Sequence, residues 1–157
     1  MKKMIALVLA LACVLSLSAC GNGNQEQVST YTFHGDNEYI SISNGTIVLS
    51  DTEEVLDGGN LSIIQADLLD GIVAYSATFY TMRNGGQRTL MSNSVVDYTG
   101  GAIHVEEDLG SISGDGIITD NKIENLDELR ENLWFELKTT DLNDKENVYQ
   151  LKLTLTE

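Results

Sequence analysis

The sequence predicts a mainly β domain, an antiparallel β-sandwich, from three observations. Segments in which apolar and polar residues alternate recur from residue 28 to the carboxyl terminus, and this period of two is typical of half-buried strands. Turns rich in glycine and asparagine separate these segments in a chain that contains no proline. Helical spacing is confined to one short segment near residues 125–133. The sandwich is Ig-like by analogy only, because the Cys…Trp…Cys signature is missing, and a small lipocalin-like β-barrel is the alternative.

An Asn44-Gly45 pair predicts the first hairpin, between alternating segments at 39–43 and 46–50. A type I′ turn needs a positive φ at both central residues, and Asn-Gly is the dipeptide that most readily provides it. Pairing the residues that flank such a turn places four aliphatic side chains on one face: Ile40, Ile42, Ile47 and Leu49. The turn and the apolar pattern therefore indicate the same register.

The other strand candidates are bounded by turn residues at 57–60, 83–88 and 141–145. Residues 110–116 have the composition of a loop. The remaining strand candidates, including one final alternating strand, are 61–64, 72–82, 89–96, 103–105, 135–137 and 149–155.

The longest strand candidate, 72–82, carries aromatic side chains on both faces. Tyr75 and Phe79 share one face, and Tyr80 lies on the other. This pattern indicates a central strand, or one whose outer face is covered. Core packing is the favoured interpretation of these rings, and an aromatic ligand platform is the alternative.

The one predicted helix begins with a capping box. Asn125 is suited to the N-cap position, and Glu128 stands three residues later. Leu126, Leu129 and Leu133 then form a stripe at helical spacing. We expect this stripe to face the core.

Residues 1–19 have the features of a secretory signal, with two early lysines followed by an apolar stretch. The segment that ends this leader, Leu17-Ser18-Ala19-Cys20, resembles the lipobox of bacterial lipoproteins. The resemblance implies cleavage just before Cys20 and a diacylglyceryl group on its thiol.

Two other interpretations of the leader are weaker. A transmembrane helix needs roughly 20 apolar residues, and the apolar stretch here is shorter. A plain secretory signal cut before Cys13 would leave a short apolar core, near the low end of the usual range of about 7–15 residues. The expected organisation is a signal peptide over 1–19, a lipidated Cys20 with a flexible tether over 20–29, and one β-rich domain over 30–157.

The chain is strongly acidic, with nine basic and 24 acidic residues and a formal net charge of −15. Removal of the two leader lysines leaves seven basic residues, so the mature chain would carry −17. Such a surface repels nucleic acid and anionic lipid headgroups, so the lipid is the expected means of membrane attachment. With Cys13 removed and Cys20 acylated, no thiol remains for a disulfide or a metal.

No catalytic or cofactor motif is recognisable, so we expect neither enzymatic activity nor a cofactor. Residues 110–114 resemble a nucleophile elbow, but Ile112 occupies the position where serine is required. His34 and His104 lie in strand patterns without a second histidine at metal-ligand spacing. Both are therefore interpreted as structural or surface residues.

No specific metal site is expected either, although two acidic segments are weak candidates for calcium. Hard cations require several oxygen ligands on a turning loop. One segment contains Asp51, Glu53, Glu54 and Asp57, and the other contains Asp115 and Asp120. Neither matches the spacing of an EF-hand loop.

The expected function is that of a lipid-anchored, extracytoplasmic lipoprotein that acts as a non-enzymatic binding or accessory module. Its expected partners are the membrane, through the diacylglyceryl anchor, and a protein of the cell envelope, with no nucleic acid. One alternative is a lipocalin-like carrier of an apolar ligand. The less favoured alternative is an enzyme acting on cell-wall material or glycans, with Glu106 and Asp108 as its acids, although a solvated strand end explains this pair more simply.

Overall fold

The computed structural model describes residues 28–83, 85–97, 99, 103–119 and 126–157. The expected signal peptide, Cys20 and most of the expected tether lie outside these residues, as do Asp120 and Asn125. No helix within the described ranges is long and apolar enough to span a membrane.

The described residues form ten strands, one 3₁₀ turn and one short α-helix. The strands are β1 (Ser29–Asp36), β2 (Ile40–Leu49), β3 (Glu54–Asp57), β4 (Asn60–Ile63), β5 (Ile72–Arg83), β6 (Gly86–Val96), β7 (Ser111–Gly114), β8 (Leu133–Asp141), β9 (Glu146–Lys152) and β10 (Thr154–Thr156). The 3₁₀ turn spans Ala66–Leu69, and helix α1 spans Leu126–Asn132.

The strands assemble into two antiparallel sheets. The six-stranded sheet has the order β10-β1-β2-β3-β7, with β4 also paired to β2, and the four-stranded sheet has the order β6-β5-β8-β9. The predicted antiparallel sandwich is confirmed. The barrel alternative is wrong, because pairing among the described strands produces two separate sheets and does not close either of them.

Three phenylalanine rings join the two sheets in the core. Phe33 of β1 lies edge-to-face against Phe79 of β5, with ring centroids 5.7 Å apart, and Phe79 contacts Phe135 of β8 at 4.9 Å. Each of these side chains is buried, and burial of one such side chain contributes about 1.5–3 kcal/mol. The predicted burial of Tyr75, Phe79 and Tyr80 is confirmed, and β5 lies between β6 and β8, inside its sheet.

The predicted hairpin at Asn44-Gly45 is wrong, since β2 continues through both residues as one strand. Asn44 does have a positive φ of 59°, but the residue belongs to a β-bulge. The register with β1 shifts at this point, so two residues of β2 oppose one residue of β1. The extra residue changes which positions face inward, and Ile42 and Ile47 are therefore both buried.

Three glycines, Gly45, Gly58 and Gly59, form what we call the glycine patch of the six-stranded sheet. A Cβ atom on Gly45 would overlap the Phe33 ring, and one on Gly58 would lie 2.9 Å from the Phe79 ring. Gly59 has a φ of +68°, and a Cβ atom there would collide with the backbone of β2. The patch thus lets β3 and β4 pair with β2 on either side of its bulge while both rings pack against the backbone.

The single final strand predicted over 149–155 is divided between the two sheets. β9 pairs with β8, whereas β10 pairs with β1 in the opposite sheet. At the crossing, the amide of Leu153 donates to the carbonyl of Leu133. Leu151, Leu153 and Leu155 are all buried, so the predicted alternation is confirmed even though the strand is not continuous.

Three further predictions of local structure are wrong. Residues 110–116 contain strand β7, which pairs with the otherwise unpaired edge of β3. Residues 103–105 form no strand, so His104 does not lie on one. Leu133 begins β8 and is fully buried there, because packing against the opposite sheet outweighs the helical spacing that links it to Leu129.

Two other predicted elements are confirmed in position. β5 and β6 form a hairpin that is paired up to Arg83 and Gly86, within the turn predicted at 83–88. Helix α1 lies where a helix near 125–133 was predicted, with Leu129 buried in the core.

Replacement of Gly45 by alanine should lower the free energy of unfolding by about 2–3 kcal/mol, because the new methyl group must displace the buried Phe33 ring. Urea denaturation followed by circular dichroism measures this change. The same substitution should cost less in a Phe33→Leu background, since the smaller side chain leaves room for the methyl group. Equal costs in the two backgrounds would contradict the proposed contact.

Candidate functional site

The outer face of the four-stranded sheet carries an aromatic pair beside a groove of about 430 Å³. Tyr80 of β5 and Trp134 of β8 are direct cross-strand partners. Their ring planes lie 14° apart, with the centroids separated by 6.5 Å. The described residues that line this site, which we call the aromatic groove, are Tyr80, Met82, Gly85, Gln87, Trp134 and Gln150.

Strand alternation explains why the aromatic pair faces outward. Phe79 and Phe135 point into the core, so their sequence neighbours Tyr80 and Trp134 point to the opposite face of the sheet. The same register that aligns the two core rings also aligns the two outer rings. The aromatic groove is thus built mainly on paired strands, which position side chains more firmly than loops do.

The two rings of the pair differ in exposure. The Tyr80 side chain is only 3% exposed, whereas Trp134 is partly exposed. Burial, and to a smaller extent the negative charge of Glu136, raises the pKa of the Tyr80 phenol above its ordinary value, so this hydroxyl is a donor at neutral pH. Trp134 therefore presents the accessible aromatic surface, with Tyr80 packed beside it.

Polar side chains on this outer face contact each other across strands, and Val148 is an exposed apolar residue there. A cross-strand hydrogen bond orients the Gln150 side chain, because its Nε2 atom donates to Glu136. The three cross-strand contacts are Thr78 Oγ1 to Ser92 Oγ at 2.9 Å, Gln150 Nε2 to Glu136 Oε2 at 2.9 Å, and Lys138 Nζ to Glu146 Oε1 at 2.6 Å.

A second pocket, of about 280 Å³, lies at the other end of the four-stranded sheet, between the 3₁₀ turn and the turn that joins β8 to β9. Its lining includes three carboxyl groups, those of Asp67, Asp70 and Asp141. It also includes Tyr39 and Tyr149, whose ring centroids lie 5.2 Å apart. We call this site the acidic pocket.

Asp141 of the acidic pocket has a structural role in the turn between β8 and β9. Its Oδ1 atom accepts hydrogen bonds from the backbone amides of Asn143 at 2.7 Å and Lys145 at 3.0 Å. The amide of Lys145, followed by that of Asn143, lowers the pKa of Asp141 below its ordinary value. Ionised Asp141 therefore holds the turn closed.

A buried glutamate, Glu54, fastens the segment 115–119 to the six-stranded sheet. Its Oε2 atom accepts from the amides of Ile118 at 2.6 Å and Thr119 at 3.1 Å, and its Oε1 atom accepts from the Thr119 hydroxyl. From the other sheet, the Arg88 guanidinium donates to the carbonyl of Ile118 at 2.9 Å. These contacts satisfy polar groups of the buried residues Ile118 and Thr119, and they make Glu54 a structural residue.

The weak metal candidates are not brought together. Asp51 and Glu53 are exposed, Asp57 accepts a hydrogen bond from the amide of Gly59, and Asp115 lies exposed after β7. No group of three or more potential ligands that could hold a metal ion occurs among the described residues. Asp120 lies outside those residues.

The residues considered for catalysis are also dispersed. Glu106 and Asp108 are exposed and line neither the aromatic groove nor the acidic pocket. Asp108 instead accepts a hydrogen bond from the amide of Gly110 at 2.9 Å. His34 lies on β1 with an exposed side chain, and His104 is exposed in an irregular segment.

Comparison with known proteins found no matching family model, no curated protein and no solved structure. Function must therefore be inferred from the geometry of the chain itself. Both pockets combine an aromatic ring with hydrogen-bonding side chains, which is the usual make-up of a small-molecule site. The aromatic groove differs in that its described lining contains no carboxyl or amine group.

The sequence did not single out Trp134 as a site residue, and it marked Glu54 only as a weak candidate for a calcium ligand. A signal for Trp134 exists, because it stands one position before the inward residues Phe135 and Leu137 and must face outward on the same strand. No comparable signal marks Glu54, which stands in an acidic segment beside exposed Glu53. Its burial depends on the distant segment 115–119.

Replacement of Glu54 by glutamine should lower the free energy of unfolding by about 1–3 kcal/mol, because an amide nitrogen cannot accept the hydrogen bonds that converge on this carboxyl group. Chemical denaturation measures the loss, and limited proteolysis should cut first near 115–119. The matched control is Glu53→Gln, an exposed neighbour, which should change stability by less than about 0.5 kcal/mol. Similar effects of the two substitutions would contradict the buried contact.

The contribution of Asp141 should depend on pH in a defined direction. Because its pKa is lower in the folded chain than in the unfolded chain, the stabilisation is complete above the unfolded value and is lost as pH falls through the folded value. We therefore expect Asp141→Asn to be less stable than the parent chain at pH 7, with the gap closing in strong acid. Denaturation curves at several pH values measure this gap, and a constant gap would refute the expectation.

Proposed function

We propose that this chain is a lipid-anchored bacterial lipoprotein on the extracytoplasmic side of a membrane, and that its β-sandwich is a non-enzymatic binding module. The binding site is the aromatic groove. The observation that carries the binding half of the proposal is the partly exposed Trp134 ring beside a groove of about 430 Å³ on a rigid sheet.

The anchoring half is supported by the leader and by the charge of the chain. The lipobox-like segment ends at Cys20, and β1 begins at Ser29, so a short tether separates the proposed lipid from the domain. A net charge of −17 after cleavage offers no polybasic attraction to anionic membranes. The two acyl chains of a diacylglyceryl group meet the requirement for stable attachment.

A binding role is favoured over the two alternatives by specific contacts. A carrier of the lipocalin type would enclose its ligand between strands, but here Phe33, Phe79 and Phe135 occupy the space between the sheets. An enzyme that used Glu106 and Asp108 would require both in one cleft, whereas both are exposed and neither lines the aromatic groove or the acidic pocket.

The proposed anchor predicts that only one of the two cysteines of the chain is acylated. In the bacterial host, cells fed an alkyne-tagged fatty acid should label the parent chain and the Cys13→Ala variant, but not the Cys20→Ala variant. Mass spectrometry of the parent chain should find an amino terminus at a lipid-modified Cys20. Label on the Cys20→Ala variant, or a mature chain that retains Met1, would overturn the anchoring half of the proposal.

A further inference from the structure

We propose that the aromatic groove binds an uncharged sugar ring, stacked against Trp134 and held at its edges by Gln87 and Gln150. This inference rests on the proposed role of the groove as a binding site and assigns its ligand class. It is supported by the geometry of the ring, the charge of the lining, the chemistry of the flanking side chains and the size of the site.

The Trp134 ring offers a flat surface of suitable polarity. The face of an aromatic ring carries partial negative charge, which attracts the weakly positive C–H groups that cover one face of a pyranose. Tyr80 stacks beside Trp134, with 14° between the ring planes, and so supports the ring whose accessible surface a ligand would meet. Because Trp134 lies on the outer face of the sheet, a sugar ring stacked on it keeps its outward hydroxyl groups hydrated.

The lining of the groove indicates a ligand without charge. Although the chain carries a net charge of −15, none of the described residues that line the groove has an ionisable acidic or basic side chain other than the Tyr80 phenol. Lys152 is the cross-strand partner of Trp134, and Glu136 accepts from Gln150, so one charge of each sign lies beside this uncharged lining. A charged ligand would lose hydration here without meeting a net opposite charge. An uncharged ligand avoids this cost.

The side chains at the edges of the groove match the hydroxyl and amide groups of a sugar. Gln87 on β6 and Gln150 on β9 lie on the two edge strands of the sheet and flank the aromatic pair from opposite edges. Each carboxamide can donate and accept, as can each sugar hydroxyl. One Gln150 N–H is bound to Glu136, which fixes the side chain and leaves its carbonyl oxygen and second N–H for a ligand.

The size and position of the groove suit one or two rings of an oligosaccharide. Its volume of about 430 Å³ lies in the lower part of the range typical of small-molecule sites. The groove lies on the outer face of the sheet beside Gly85, at the tip of the β5–β6 hairpin. A longer saccharide chain could therefore continue past the groove into solvent.

Trp134 is the single tryptophan of the sequence, so its fluorescence reports on the groove directly. The purified full chain should be titrated with three neutral probes, cellotetraose, maltotetraose and chitotetraose, and with the anionic probe tetragalacturonate. We expect at least one neutral probe to shift or quench the emission and the anionic probe to bind at least tenfold more weakly. No response to any neutral probe, or a stronger response to tetragalacturonate, would overturn the inference.

Variants then locate the binding site, with calorimetry as the readout where the fluorophore is removed. Trp134→Ala and Gln150→Ala should each raise the Kd of the responding sugar, by about tenfold or more for Trp134→Ala. The matched control is Val148→Ala, which removes an exposed side chain elsewhere on the same face and should leave the Kd unchanged. Thermal unfolding confirms that each variant is folded. Unaltered affinity in folded Trp134→Ala would overturn the inference.

An uncharged apolar probe, N-phenyl-1-naphthylamine, separates failure of the ligand class from failure of the site. A response of Trp134 to this probe without a response to any sugar would overturn the sugar assignment and leave the groove as a binding site. Silence toward every probe would overturn both the sugar assignment and the binding half of the proposed function. The acylation of Cys20 is measured independently and is unaffected by either result.

Discussion

The packing of Phe33 against a glycine backbone is the contact on which the rest of the sandwich depends. The ring can reach Phe79 in the opposite sheet only because Gly45 has no Cβ atom, and Gly58 gives Phe79 the same freedom. Phe79 in turn contacts Phe135 and so sets the relative positions of β5 and β8. Each outward residue of the aromatic pair adjoins one of these core rings, so the geometry of the groove follows from the packing beneath it.

The bulge in the backbone of β2 makes that packing possible. It changes the inward face of β2 in mid-strand, which keeps both halves of the strand in contact with the core while the glycine patch meets the rings. The same region positions β3, whose first residue is the buried Glu54. The segment 115–119 is then held between Glu54 of one sheet and Arg88 of the other. Core, loop and groove are consequently parts of one connected arrangement.

The sequence determined the class of fold but not the path of the chain through it. A two-residue hairpin and a one-residue bulge both place Ile42 and Ile47 on one face, so the apolar pattern around Asn44 cannot distinguish them. The choice depends on β3 and β4, which arrive from later in the chain. The alternation of apolar and polar residues through Leu153 likewise continues from β9 into β10, so it does not show that the two strands belong to different sheets. Local patterns gave the inward residues, including Phe79, but gave no information on which distant partner buries Glu54.

The position of the groove relative to the proposed anchor limits how far from the membrane its ligand can lie. Arg130 of α1 lies over the Tyr31 ring, 6.0 Å from its centroid, and forms an ion pair with Glu157. The start of β1 is thus at the same end of the sandwich as the start of β8, where Trp134 lies. The flexible tether of about nine residues that the sequence predicts would span roughly 15–18 Å on average. A lipid on Cys20 would therefore hold the aromatic groove close to the bilayer, while the acidic surface of the domain opposes contact with anionic headgroups and keeps the groove open to ligand.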